Sequence, residues 1–438
     1  MRTPGTTHPV SADAAGPATL RADVAVIGGG VVGHGIAWEV QRSGRSVVLI
    51  DDAPGTGASW AAAGMLAPVS ELHYQEEDLL ELMLEASSRW PGFAAGVAEA
   101  SGSDCGYLTT PTLAVGADAA DRRALMDLRT VQQANGLAVE PLTVREARQR
   151  EPLLSPAIAC ALDIPGDHQV DPRRLVAAVR LALAGAAREK PDLGVDGAVD
   201  GYAVPDRAAC LVWEDGSVAG VRLVGGGTVL AAETVVANGL QAGTLGGLPD
   251  GLELPLRPVH GDILRLAVPR HLQPLVTATV RGLVHGVPVY IVPRADGTVV
   301  IGATQREDAL SDAVSAGGVY QLLRDAQALV PAVAELELLE STARARPGTP
   351  DNAPLLGRVP AVPGAGSTAS DTTGPAHVPG LIIATGFFRH GVLLTPAAAA
   401  ICAELLDGKA DPRWAPFRPD RFSRPAGAAQ RTHIKETA

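Results

Sequence analysis

Lysine is almost missing from this chain. Only Lys190, Lys409 and Lys435 occur in 438 residues, and arginine carries the rest of the positive charge. Beside so much alanine, that scarcity reads as codon bias rather than function. Positive charge is short overall, since 48 acidic against 36 basic residues leave a net charge of −12. Such a balance argues against non-specific nucleic-acid binding, which needs a basic patch for the phosphate backbone. Cysteine is scarce too. Cys105, Cys160, Cys210 and Cys402 are scattered, with no C-x-x-C pair and no histidine at zinc-finger spacing. This argues against a structural metal, so no metal ligands are expected, and it fits a reducing cytoplasm. Residues 1–21 are rich in Pro, Thr, Ala and Gly and lack an apolar run of signal-peptide length, so they read as a disordered leader. Arg389 and His390 interrupt the apolar stretch 381–406, which therefore reads as core rather than membrane span. No internal repeat occurs.

What is present is a globular composition, 46% hydrophobic and 19% charged. A chain this long removes roughly 75% of its unfolded surface from water, and its length suggests about two or three domains. Asp23 to Gly33 reads DVAVIGGGVVG. Val24, Val26 and Ile27 fit a buried strand, and Gly28, Gly30 and Gly33 form G-x-G-x-x-G. A helix is expected over Val31–Arg42 with Gly44 as its cap, then a strand over Ser46–Ile50 that closes on Asp51. Gly28 permits a tight turn, Gly30 lets backbone approach a pyrophosphate, and Gly33 lets helix pack on strand. The helix start offers free N–H groups and partial positive charge to that pyrophosphate. Asp51 stands where a carboxylate can accept from an adenosine ribose. Strand before, helix after and acid at the end are the context that makes the glycine motif informative. The motif alone does not separate FAD from NAD.

Further along, Ala58–Leu66 (ASWAAAGML) fits either a backbone passing close to a flat ligand or a tight helix contact. Helices are expected over 76–100, 118–135, 316–330 and Gly391–Leu406 from their apolar spacing. Another should run over Asp171–Arg188, with Asp171 as N-cap and Pro172 in the first turn. Strands are expected at Tyr107–Gly116, around the turn Glu214-Asp215-Gly216, at Thr234–Asn238, and over most of Pro255–Ala303. Within Val287–Pro293, alternation puts Val287, Val289 and Ile291 on one face and Tyr290 on the other. Residues 360–379 read as an exposed loop, Leu381–Ala384 as a strand, Thr385–His390 as a turn, and the chain from Asp411 as a loose tail. The expected architecture is an α/β dinucleotide unit interrupted by a largely antiparallel block.

Seven segments in order resemble the FAD-dependent D-amino-acid oxidase superfamily, and within it the glycine oxidases of thiamine biosynthesis. They are VIGGGVVG (26–33), AAAGML (61–66), DHQVDPRRL (167–175), VYIVPR (289–294), VIGAT (300–304), RPGTPDNAPLLG (346–357) and FFRHGVLLTP (387–396). The resemblance implies non-covalent FAD held by a discontinuous Rossmann-like domain, 22–74, 151–244 and 336–415. It implies a second, largely antiparallel β substrate domain flanked by helices, 75–150 and 245–335, with 416–438 as the tail.

The resemblance also assigns roles. Arg346 matches the clamp on the substrate carboxylate, Tyr290 its hydroxyl partner, and Arg389 a residue near substrate and flavin. Gly391, Val392 and Leu393 match backbone at the flavin's pyrimidine edge, and His390 beside them counts among the cofactor-binding positions. Ala62, Ala63, Gly64 and Met65 match the wall beside the isoalloxazine, and Ser59 a hydroxyl near the pyrophosphate. Arg344, Phe387, His390 and Leu240 depart from the family pattern, where glycine, histidine, asparagine and tryptophan are usual. The implied reaction moves a hydride from Cα of a small amino acid, most naturally glycine, to the flavin. Molecular oxygen would then reoxidise the flavin, giving hydrogen peroxide. Sarcosine, a D-amino acid or a specialised intermediate stay open as substrates, a quinone as acceptor, and a non-catalytic flavin-binding partner as another class. Family members are often homo-oligomers; no residue here specifies assembly.

Overall fold

The computed structural model describes residues 18–72, 76–307, 312–361 and 377–423. Two eight-stranded sheets carry the structure. In the first, Thr19–Ile27 lies between Val47–Ile50 and Thr228–Val236, and His377–Thr385 follows beyond, all parallel. Val24–Ile27 and Val47–Ile50 are apolar at every position and fully buried. A parallel sheet covered on both faces requires such continuous runs. One face is covered by helices Val31–Arg42, Leu80–Ser101, Pro172–Glu189 and Gly391–Leu406, whose apolar sides share one core. The other face packs on the hairpin Ala208–Glu214/Ser217–Leu223 and on Leu245 and Leu254. Asp215 and Gly216 both take positive φ at the hairpin turn, as its right-handed twist prefers.

The second sheet runs Glu337–Gly348, Arg257–Ala267, Thr298–Gly302, Val287–Pro293, Thr279–Val284, Thr112–Gly116, Cys160–Ile164, Glu140–Leu142. Every pairing is antiparallel except Thr279–Val284 with Thr112–Gly116. Leu322, Ala326 and Leu329 of helix Ala316–Leu329 cover one face, packing with Val289 and Ile291. Tyr290 and Val292 point to the opposite face, toward Ala61 and Ala63 of the first unit. Period-two alternation produces this split.

Helices Val31–Arg42 and Gly391–Leu406 begin and end where the sequence predicts. Asp171 caps its helix, accepting from the amides of Arg173 and Arg174 at 2.9 and 3.4 Å. Four expectations change. The leader stops short of Thr19, because Thr19–Ala22 extend the first strand and pair with Thr228–Ala231; residues 1–17 lie outside the described residues. The tail is packed as far as Ser423: Trp414 and Phe417 are buried in the helical core, and Arg421 makes two hydrogen bonds to Asp351. The loop 360–379 gives way at His377, where a strand begins, and 362–376 lie outside the described residues. The domain bounds also shift. Helix Leu80–Ser101 packs with the first unit through Met83, Trp90 and Val97, whereas Cys160–Ile164 and Glu337–Gly348 join the second sheet. An amphipathic helix does not reveal in sequence which sheet it covers. Among the described residues no helix is long and apolar enough to cross a membrane.

Candidate active site

A continuous cavity of about 840 Å³ lies between the two sheets. Its volume sits at the upper end of the ligand-pocket range. The first sheet contributes the carboxyl ends of its parallel strands, through Gly28, Asp51, Asn238 and the turn Thr385–Arg389. The crevice at the carboxyl ends of strands is the usual ligand position in open α/β sheets.

The glycine motif works by leaving out side chains. At Gly33 a Cβ would stand 1.9 Å from the Gly28 carbonyl oxygen, and at Gly28 one would stand 2.6 Å from the Ala237 oxygen. Gly33 therefore packs helix on strand without itself lining the cavity, while Gly28 and Gly30 line it. Asp51 accepts from the amides of Gly29 (2.6 Å) and Ala53 (2.7 Å), fixing the turn while still lining the cavity. The Ser59 hydroxyl accepts from the Val31 amide at 2.9 Å. The helix thus begins with a cap supplied by a distant residue, because Gly30 has no side chain to offer. His34 is buried in the first turn with Nδ1 3.1 Å from the Gly30 oxygen, and burial pushes its imidazole down to about 4. The buried Asn238 Oδ1 has no protein partner and its residue lines the cavity. Bare glycine backbone, an open helix start, a carboxylate and an orphaned acceptor fit a dinucleotide.

The small-residue segment forms the adjoining wall through Ala61 to Met65. Gly64 takes φ +72°, and its oxygen accepts from the Val170 amide at 2.8 Å. Arg294, the last residue of VYIVPR, reaches from the second sheet and donates to the Gln169 side chain (3.0 Å) and to the carbonyls of Val170 (3.2 Å) and Ala63. Burial lowers this arginine to about 10. The wall is thereby tied to both units. Gly391 and Val392, at the start of the last helix, also line the cavity.

At the far end, the second sheet presents one row of residues on a shared face. The register pairs Arg281 with Tyr290, Tyr290 with Gly302 and Gly302 with Ile263. Two residues from Ile263 is Gly261, opposite Arg344, and Arg346 follows on the same face. The two glycines make room for the two long side chains. A Cβ on Gly302 would lie 2.3 Å from the Tyr290 hydroxyl, and one on Gly261 would lie 2.4 Å from Arg346 Nη1. Arg346 makes one long contact, 3.5 Å to the Thr304 carbonyl. No carboxylate among the described residues pairs with it. Burial pushes the Tyr290 phenol up to about 12, so it stays a neutral donor.

A buried ion network closes this end. Arg281 donates to Glu71 at 2.7 Å, His390 Nδ1 lies 3.3 Å from the same carboxylate, and Arg389 pairs with Glu76. Burial works to raise the Glu71 carboxyl, but Arg281, His390 and Arg389 together hold it well below the usual carboxylate range. Burial also lowers Arg389. The loop bearing Glu71 hangs on Asp167, which accepts from the amides of Val69 and Ser70, both at 2.9 Å. Burial raises Asp167 to about 6.

Of the residues singled out in sequence, Tyr290, Arg346, Arg389, Gly28, Gly30, Asp51, Ser59, Ala62, Ala63, Gly64, Met65, Gly391 and Val392 line this one cavity. Three do not. Gly33 lies beneath the turn, Leu393 is core and accepts from Trp90 Nε1 at 2.8 Å, and His390 turns inward to Glu71. The helix after Gly391 rotates successive residues by about 100°, so adjacent positions cannot all face the cofactor. Sequence reading missed Arg281, Glu71, Arg294 and Asn238. An arginine inside the apolar strand Thr279–Val284 was the available signal for the first. Among the described residues no group of three His, Cys, Asp or Glu could hold a metal ion.

Comparison with known proteins finds relatives over nearly the whole chain. Glycine oxidase of Geobacillus kaustophilus is 32% identical over 393 residues, covering 89% of this chain and 94% of that protein. Its crystal structure superposes with a TM-score of 0.76, covering 92% of this chain and 99% of that chain. The bifunctional protein ThiO/ThiG of Trichormus variabilis is 30% identical over 406 residues, which span 92% of this chain and 56% of that longer protein. Residues 23–405 match the family described as FAD dependent oxidoreductase (DAO). With both sheets, the dinucleotide turn and the cavity-facing arginine in place, the chain belongs to the FAD dependent oxidoreductases of the DAO family, as an amino-acid oxidase of the glycine oxidase type.

Proposed function

We propose that this enzyme oxidises glycine to the imine of glyoxylate, with oxygen as electron acceptor and hydrogen peroxide as co-product. The observation that carries the proposal is Arg346. It lies over Gly261 in the cavity, without a carboxylate partner among the described residues, beside the neutral Tyr290. A planar guanidinium in that position would take a substrate carboxylate through two parallel hydrogen bonds, fixing position as well as affinity. Tyr290 would donate a third. The paired Arg281–Glu71 and Arg389–Glu76 groups hem the space beyond, which favours a substrate with little or no side chain. FAD, held by Gly28, Gly30, Asp51, Ser59 and the wall Ala62–Met65, would supply the two-electron acceptor. Water then hydrolyses the imine to glyoxylate and ammonia, or a following enzyme takes it.

The proposed place of this reaction is thiazole formation in thiamine synthesis, supported by the similarity to ThiO/ThiG. The proposed compartment is the cytoplasm, in keeping with four unpaired cysteines. The test is peroxide release by the purified flavoprotein with glycine, sarcosine, D-alanine and D-proline. Glycine should give the highest kcat/KM. A preference for sarcosine or a D-amino acid would reassign the substrate. Reduction of the flavin without peroxide would replace oxygen by another acceptor. A flavin that no amine reduces would remove the amino-acid reading.

A further inference from the structure

Five arginines line the cavity: Arg207, Arg281, Arg344, Arg346 and Arg389. Three are matched by carboxylates. Arg207 lies 3.4 Å from Asp52, Arg281 lies 2.7 Å from Glu71, and Arg389 pairs with Glu76. Arg346 lies over Gly261 at the substrate end. Arg344 is left. Among the described residues its carboxylate neighbour is Asp312, 3.9 Å away at the outer limit of an ion pair, and its Nη1 donates to the Ala343 carbonyl at 2.8 Å.

Arg344 is also held in a particular place. Its Nε donates to the Thr56 carbonyl at 3.0 Å, reaching from the second sheet to a loop of the first unit. That loop rests on the glycine motif, because the Gly55 amide donates to the Gly29 carbonyl at 2.8 Å. The guanidinium therefore stands one residue from the segment seated against the helix start. A helix start offers only about half a unit of positive charge, while a bound dinucleotide brings a pyrophosphate there with two negative charges. Among the described residues no other cavity arginine donates to this loop.

We propose that Arg344 is a cofactor-binding residue, the cation that neutralises the FAD pyrophosphate and latches the Thr56 loop over it. This rests on FAD use and not on glycine as the substrate. An arginine can do this where the resembling family usually has glycine, because the residue adds a charge-assisted contact from the facing sheet.

The test is equilibrium binding to the full chain freed of flavin, read by quenching of flavin fluorescence. The ligands are FAD and riboflavin, which carries the same ring without phosphate. Wild type, Arg344→Gly and Arg344→Lys are compared at low and high salt. Arg344→Gly should weaken FAD by roughly tenfold or more, and riboflavin by less than twofold. Its FAD affinity should also depend less on salt, since one screened charge is gone. Arg344→Lys should recover part of the FAD affinity. Unchanged FAD binding in Arg344→Gly would overturn the proposal. So would an equal loss for FAD and riboflavin, which would leave Arg344 as a loop tether only. Circular dichroism identifies a misfolded variant; in that case Arg344→Gln supplies the same comparison with the side-chain stem retained.

Discussion

The two ends of the cavity are built in different ways. The dinucleotide end is made mostly of backbone, from residues close together in sequence. Gly28, Gly30, Gly33 and Asp51 fall within one βαβ unit, and glycine there means an absent side chain that would otherwise collide with Gly28 or Ala237 oxygen. The substrate end is made of side chains from five strands, with Arg281, Tyr290, Gly302, Gly261 and Arg346 aligned only once the antiparallel register is set. Crowding at Gly28 or Gly33 meets backbone, which cannot give way, whereas crowding at Gly302 or Gly261 meets the side chains of Tyr290 and Arg346, which can shift.

Substitutions can break that contrast, and the largest effect is expected at the clamp. Arg346→Ala should lower kcat/KM for glycine by roughly a thousandfold, because it removes a charge-assisted bidentate contact and the orientation it gives. The flavin should stay bound, as judged by the visible spectrum of the purified protein. Gly33→Ala should do the reverse. Its Cβ would meet the Gly28 oxygen at 1.9 Å, so a destabilisation of roughly 3 kcal/mol should appear in urea melts together with loss of bound flavin.

A pH experiment sharpens the contrast at the dinucleotide end. Burial holds the folded His34 at about 4, against 6.5 without burial. The unfolded chain therefore binds the proton more readily. The stabilising contribution is complete above pH 6.5 and is lost as pH falls toward 4, on the order of 3 kcal/mol in all. Asp167, raised to about 6, acts with the opposite sign over much of this range. The quantity to measure is thus the stability difference between wild type and His34→Gln, in which Asp167 cancels. It should fall by that amount between pH 6.5 and pH 4, and a difference that is flat with pH would remove the buried neutral imidazole.

Smaller effects are expected within the substrate row. Gly302→Ala would place a Cβ 2.3 Å from the Tyr290 hydroxyl. The phenol must shift, and KM should rise by roughly tenfold with flavin binding retained. Tyr290→Phe removes one neutral donor and should raise KM by roughly fivefold, measured by peroxide release.

How much of this was legible in sequence follows the same division. The first βαβ unit could be read directly, because strand, glycine turn, helix and Asp51 are contiguous and each has a local cause. Tyr290 and Arg346 were recognisable only through resemblance, since no spacing along the chain tells that residues 290 and 346 face one cavity. Glu71, Arg281 and Asp167 were not singled out because a buried ion network is invisible until the loop at Val69 folds onto Asp167. The resemblance puts His390 among the cofactor-binding positions, yet the start of the last helix directs it to Glu71. Trp414 and Phe417 lie in a charged, proline-containing stretch that reads as a tail, but two large apolar side chains were enough to dock it.

The most direct measurement is anaerobic mixing of glycine with the flavin-loaded enzyme and with Arg346→Ala, following the flavin's visible absorbance. With Arg346 as the carboxylate clamp, glycine bleaches the wild-type flavin rapidly and the variant's at least a hundredfold more slowly. Equal rates of bleaching in the two proteins would contradict the clamp.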